Sequence, residues 1–143
     1  MGAPAPPAGV VLDASAAIAL LRDEPTAPEV ERVLRELPAR MSVVNAAETV
    51  DVLVRRYRKA AHDVVDGVEG LLSTVEAVPA SLELAVRAGE LRAKLFDHRS
   101  RRLSLADCFV LATADSGESI VTTDDTLAAA ARAEGIDVVN LHH

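Results

Sequence analysis

Gly9-Val10-Val11-Leu12-Asp13-Ala14-Ser15-Ala16-Ala17-Ile18-Ala19-Leu20-Leu21 is the stretch on which the fold turns. Through Leu12 it is apolar and β-branched, and after Ser15 it becomes rich in Ala and Leu, as a buried strand does on entering a helix. Asp13 stands at the junction. Three more acids stand at similar places: Glu48 in Val43-Val44-Asn45-Ala46-Ala47-Glu48, Asp107 in Ser104-Leu105-Ala106-Asp107, and Asp124 in Ile120-Val121-Thr122-Thr123-Asp124. In an open parallel α/β sheet such junctions collect along the carboxyl edge, where ligands bind. Four residues far apart in sequence are therefore expected in one acidic pocket, which is a metal site in outline.

The rest of the chain alternates in the same way. A break at Arg22-Asp23-Glu24-Pro25 precedes a helix from about Ala27 to Leu37, with Val30, Val33, Leu34 and Leu37 at helical spacing, and Pro38 stops it. Met41 to Val44 predicts a second strand, followed from Asn45 by a helix through about Arg58, and then by another from about Ala60 to Ser73. Glu76-Ala77-Val78-Pro79 predicts a short edge strand, because proline does not suit a central one. Ser81 to Phe96 predicts a helix with Leu82, Ala85, Val86, Leu91 and Leu95 on one face. Asp97 to Leu103 predicts an exposed basic loop. Ser104 to Ala114 predicts a helix, Ser119 to Thr122 a strand, Thr126 to Ala133 a helix, and Ile136 to Asn140 a last strand. This order implies an α/β fold with a mainly parallel sheet of four to five strands, covered on both faces and joined by right-handed crossovers.

At 143 residues the chain has the length of one domain, taken as 10–143 after a loose leader over 1–9. The longest apolar run, Ala16 to Leu21, is far short of a bilayer span, and the leader lacks the basic start of a signal peptide. A soluble protein of the reducing cytoplasm is expected, since the single Cys108 cannot form an internal disulfide. His62 and His98 stand alone and His142-His143 is a terminal pair, so no histidine spacing suits zinc. A metal in this chain would meet oxygen, which favours Mg²⁺ or Mn²⁺.

The net charge of −7, from 22 acidic and 15 basic residues, argues against broad electrostatic attraction to nucleic acid. The basic residues are nevertheless clustered, as Arg55, Arg56, Arg58 and Lys59 and again as Arg99, Arg101 and Arg102. With only Tyr57, Phe96 and Phe109 as aromatics, no extended stacking platform is available, and RNA contact is expected to be sparse and directed to phosphate.

Each acid also has a reading without chemistry. Asn45 to Glu48 and Ser104 to Asp107 both have the spacing of a capping residue with an acid at N3. Asp13 is harder to explain that way, since Ser15 can cap the helix and leave the Asp13 carboxylate free. Taken together the acids ask for a countercharge: two carboxylates about 4 Å apart repel by roughly 4 kcal/mol at an effective dielectric near 20. A divalent cation answers this and brings Lewis-acid polarisation of a phosphoryl oxygen.

At these residues the chain resembles a known family. Val11-Leu12-Asp13-Ala14-Ser15-Ala16 with Arg22-Asp23-Glu24-Pro25, Val44-Asn45-Ala46-Ala47-Glu48, Leu103-Ser104-Leu105-Ala106-Asp107-Cys108 with Ala112-Thr113-Ala114, and Ile120-Val121-Thr122-Thr123-Asp124 are similar to the successive motifs of PIN domains, and most of all to those of VapC toxins. The resemblance covers nearly the whole chain after the leader. It implies a three-layer α/β/α PIN-like domain and a Mg²⁺- or Mn²⁺-dependent endoribonuclease, the toxin of a VapBC pair, held inactive by a VapB-type antitoxin. By position Asp13, Glu48, Asp107 and Asp124 match the family's acidic quartet. Asp13 and Asp107 are implied as direct metal ligands, Glu48 as a ligand or an activator of water, and Asp124 as completing the shell. The family's Thr-x-Asp spacing selects Asp124 over Asp125. A homodimer is also implied, with the antitoxin's C-terminal segment crossing the active-site groove.

Competing classes fit less well. One is a PIN-like interaction module without catalysis, against which the intact acidic set argues. Aspartate phosphoacceptors place an Asp after a first strand, but receivers need a late lysine where the chain has only Lys59 and Lys94. The phosphatase motif needs a second Asp where Ser15 stands. No P-loop or glycine-rich dinucleotide fingerprint occurs.

Overall fold

The computed structural model describes residues 8–141, so most of the leader and the His142-His143 pair lie outside the described residues. The element order is β1 (Val10–Leu12), α1 (Ala14–Leu21), α2 (Ala27–Glu36), β2 (Ala39–Ser42), α3 (Val43–Asp51), a π-helical turn (Val52–Arg56), α4 (Ala61–Leu71), β3 (Glu76–Val78), α5 (Leu82–Leu95), α6 (Leu105–Thr113), β4 (Ser119–Thr122), α7 (Asp125–Ala133) and β5 (Asp137–Asn140). The five strands form one sheet in the order β3-β2-β1-β4-β5, and every pairing is parallel. After β1 the chain builds β2 and β3 on one side, then crosses through α5 and α6 to place β4 on the other. The switch in direction falls between β1 and β4, and an open α/β sheet offers its binding crevice at the carboxyl ends of two such strands.

Alternation along the strands separates the layers. Val11 and Ile120 pack with Ala88 and Leu91 of α5, Val110 and Leu111 of α6, and Leu127 and Ala130 of α7. Val10, Leu12 and Val121 face the other way, onto Ala16 and Ala17 of α1 and Val30 and Val33 of α2. A smaller cluster of Leu53, Val64 and Val68 holds the π-turn and α4 against Ile18 and Leu21 of α1. Each large side chain so buried contributes roughly 1.5–3 kcal/mol, and the two main clusters fix the sheet from both sides. Cys108 is fully buried among them, and burial pushes its thiol up to about 11, consistent with a packing role.

Three local readings need correction. The second strand ends at Ser42, not Val44, because Ser42 caps α3 by accepting the Val44 amide at 3.2 Å. Val43 and Val44 are therefore helical, and Asn45 is not a cap. Helix α3 also gives way to the π-turn before reaching Arg58, whose φ of 56° lies in the left-handed region that ends a helix. On α5 the buried face is Ala88, Leu91 and Leu95, while Ala85 is exposed, as are Leu82 at 80% and Val86 at 53%. Spacing alone placed those three with the core because α5 is apolar on more than one stripe.

Candidate functional site

Asp13 leaves β1 in an extended conformation and caps α1 itself, its Oδ1 accepting the Ala16 amide at 2.8 Å. The expectation that Ser15 would do the capping is overturned: the Ser15 hydroxyl instead donates to the Asp13 carboxylate at 2.7 Å. Ser15 Oγ also accepts the Thr123 amide at 2.9 Å, tying the start of α1 to the end of β4. Thr122 donates to Asp13 Oδ2 at 2.5 Å. Asp13 is only 3% exposed. Burial raises its carboxyl to about 6, against the lowering effect of the bonds from Thr122, Ala16 and Ser15, and the Asp107 charge adds to the rise.

Asp124 caps α7, its Oδ1 accepting the amides of Thr126 at 2.8 Å and Leu127 at 3.3 Å. Its own amide donates to Thr122 Oγ1 at 2.9 Å. Asp107 forms the capping box with Ser104 that its spacing suggested, with bonds of 3.0 and 2.9 Å. Burial raises the Asp107 carboxyl, as does the Asp124 charge, despite the Ser104 bonds.

Glu48 arrives differently. It lies in the second turn of α3, past the first turn where a cap at Asn45 would have put it. Asn45 is fully buried and donates its Nδ2 to the Ala106 carbonyl at 3.1 Å, which locks α3 against the first turn of α6 and brings Glu48 beside Asp107. Burial raises the Glu48 carboxyl to about 7, helped by the charges of Asp107, Asp13 and Asp124 and opposed by the Asn45 amide.

The four acids line one cleft of about 170 Å³ with Ala14, Ser15, Ile18, Val52 and Arg56. Asp125 is not in this lining and accepts from Asn140 Nδ2 at 3.1 Å. Arg99, Arg101 and Arg102 do not line it either. A larger cavity lined by Asp115, Glu118, Glu134 and Asp137 also gathers four acids, but there Asp115 and Glu118 pair with Arg40 and Glu134 with Lys94. The amino edge of the sheet makes a useful contrast. There Glu118 is half-buried, and although burial raises its carboxyl, the Arg40 guanidinium, bonded at 2.5 Å, and the Asp115 amide together outweigh it and hold the carboxyl low. At the carboxyl edge the acids accumulate without such an ion pair.

A hard divalent cation fits this donor set, which is all oxygen, strongly anionic and partly desolvated. Asp107 Oδ1 and Asp124 Oδ2 accept no hydrogen bond from any described residue. Among the described residues, however, no group of three or more His, Cys, Asp or Glu is already arranged to hold a metal ion. Side-chain movement of the acids would have to accompany binding. Sequence reasoning missed two residues here: Asn45 as the tie between helices, and Arg56 as the basic member of the lining. Arg56 had no signal of its own, because residues eight apart diverge on a regular helix and only the π-turn between them brings it to the side of Glu48.

Residues 10–137 match the family model described as PIN domain. No curated protein matches the chain significantly by sequence. Among solved structures, a DNA-bound VapBC from Salmonella typhimurium aligns with TM-score 0.69 and 19% identity, over 93% of this chain and 98% of that one. VapBC-5 from Mycobacterium tuberculosis aligns with TM-score 0.61 and 25% identity, over 94% and 100%. Mycobacterium tuberculosis VapC20, described as a Sarcin-Ricin loop cleaving toxin, aligns with TM-score 0.61 and 19% identity, over 93% and 89%.

Proposed function

The chain belongs to the PIN domain family, and from that premise we propose that it is the toxin of a VapBC-type toxin–antitoxin pair, a Mg²⁺- or Mn²⁺-dependent endoribonuclease. The observation that carries this reading is the convergence of Asp13, Glu48, Asp107 and Asp124 on one cleft at the switch point of the sheet. The likeness of the fold to VapBC proteins and to VapC20, described as a Sarcin-Ricin loop cleaving toxin, supports it.

Asp13, Asp107 and Asp124 would hold the cation, with Glu48 at its margin. The ion supplies Lewis-acid stabilisation of the charge that develops on the phosphoryl group. Glu48, whose carboxyl burial and the neighbouring acids hold high without the cation, would act as a carboxylate base toward the attacking water once the cation offsets those charges. Water oxygen bonds to phosphorus as one of its protons passes to Glu48, the bond to the 3′-oxygen breaks in line, and that oxygen takes a proton from solvent as it leaves. The products carry 5′-phosphate and 3′-hydroxyl ends, and no 2′-hydroxyl acts as nucleophile. Ser15 and Thr122 keep Asp13 oriented through their hydrogen bonds.

The antitoxin fits the same cleft, because a basic side chain offered to the acids supplies the countercharge they otherwise lack. For a homodimer, Leu82, Val86 and Phe96 of the α5 region and Leu105 of α6 provide exposed apolar surface. Among the described residues no helix is long and apolar enough to cross a membrane.

Induced expression in a bacterial host tests the toxin reading. Growth should stop with the wild type and continue with Asp13→Asn or Asp107→Asn at equal protein levels. Unimpaired growth with folded wild-type protein in a host lacking the antitoxin would favour an interaction module.

A further inference from the structure

Arg56 is the one basic side chain lining the acidic cleft among the described residues. Glu48, Val52 and Arg56 all reach that lining at intervals of four. In a regular α-helix of 3.6 residues per turn, a residue eight positions on stands about 80° around the axis from the first. The π-turn from Val52 to Arg56 widens the last step and keeps Arg56 on the side of Glu48. Such turns are uncommon and concentrate at functional sites.

Arg55 and Arg22, the arginines nearest this lining, are committed elsewhere. Arg55 forks onto Asp51 at 3.0 and 2.9 Å. Arg22 pairs with Glu24 and lies 3.7 Å from the centre of the Tyr57 ring. Arg56 makes no hydrogen bond or ion pair with any described residue, and its guanidinium is 5.4 Å from the Tyr57 ring centre. An exposed arginine beside four carboxylates that pairs with none of them has its planar fork open to an incoming anion.

We propose that Arg56 binds a phosphodiester of the RNA substrate at the mouth of the cleft, next to the bond that is cut. The proposal rests on the ribonuclease reading above. A guanidinium grips two phosphate oxygens at once, which a lysine ammonium does not. It also offsets the repulsion that four carboxylates present to an RNA backbone.

Two assays test this, on full-length protein with Arg56→Ala and Arg56→Lys. The first is fluorescence anisotropy of a short fluorescein-labelled single-stranded RNA against KCl concentration, with all variants in an Asp107→Asn background to prevent cleavage. Arg56→Ala should weaken binding about tenfold and make the slope of log affinity against log salt shallower by about 0.7, the value of one single-strand phosphate contact. Arg56→Lys should restore the slope but only part of the affinity. The second assay, Mn²⁺-dependent cleavage by otherwise wild-type protein, should show the Arg56→Ala defect mainly in KM, with an unchanged melting temperature. Unchanged affinity, slope and KM in a protein whose cleavage depends on Asp13 would overturn the role of Arg56 alone. A folded wild type that neither binds nor cuts RNA would overturn the ribonuclease reading and this proposal together.

Discussion

Thr122, the last residue of β4, donates its hydroxyl to Asp13 at the end of β1 across 2.5 Å, so the carboxyl ends of two paired strands are joined through the most buried acid of the site. Thr122 is itself fully buried, and the same hydroxyl oxygen accepts the Asp124 amide. Thr122→Val keeps the shape and removes both bonds. A loss of about 1–3 kcal/mol in stability is expected, with a fall in nuclease activity, while Thr122→Ser should retain most of both. Urea denaturation beside a cleavage assay checks this, and a fully active Val variant would mean that Asp13 needs no such support.

Burial raises Asp13 to about 6 and Glu48 to about 7, so the folded protein without cation holds protons that the unfolded chain has already released. Stability rises with pH only where the unfolded state binds more protons, and here the folded state does. The contribution of these two groups is therefore greatest below their unfolded values and is lost as pH climbs through the folded ones. For Asp13 the loss is on the order of 3 kcal/mol. In EDTA, Asp13→Asn should gain stability relative to the wild type as pH rises from about 4 to about 7. Parallel denaturation curves for the two proteins would contradict this.

Cation binding should reverse that penalty. At about 100 times its dissociation constant, a ligand that binds only the folded state adds about 2.7 kcal/mol. Mn²⁺ or Mg²⁺ should raise the melting temperature of the wild type, and should do so far less in Asp107→Asn. Equal shifts in both would place the ion away from the cleft.

Asp124 and Asp125 are separable. Asn caps a helix about as well as Asp, so Asp124→Asn should leave stability nearly unchanged while depressing cleavage. Asp125→Asn, at a residue bonded to Asn140 outside the cleft lining, should leave cleavage close to wild type. The opposite ranking would move the fourth acid to Asp125.

Glu48→Gln should lower kcat by about 10²–10⁴ if Glu48 accepts the proton of water, and the residual activity should lose the rise with pH that ionisation of Glu48 imposes. An unaltered pH profile in the Gln variant would assign that role to another group.

The strand-to-helix junctions at Asp13 and Asp124 were legible because both acids follow buried strands directly and extended apolar runs have few alternatives. Asp107 was legible as a capping box, and capping and lining the cleft proved compatible, since one carboxylate oxygen serves the helix start and the other is left over. Glu48 lines the cleft from inside α3, not from the strand-to-helix junction at which it was read. Ser42, not Asn45, caps α3, and the competition between two good capping residues three apart is settled by where β2 stops pairing with β1 and β3. The π-turn that carries Arg56 had no sequence signal, because it depends on α3 and α4 packing onto Leu53. The exposure of Leu82 and Val86 was hidden for a related reason: helical spacing marks apolar stripes without saying which one faces the sheet.

The central claim is best tested by incubating antitoxin-free protein with total bacterial RNA in Mn²⁺ or Mg²⁺, beside EDTA controls and the Asp13→Asn and Asp107→Asn variants, and mapping the product ends. Discrete fragments with 5′-phosphate and 3′-hydroxyl ends, dependent on the metal and on both acids, are expected. Fragments with 2′,3′-cyclic phosphate ends, or cleavage that survives EDTA and both substitutions, would contradict that claim.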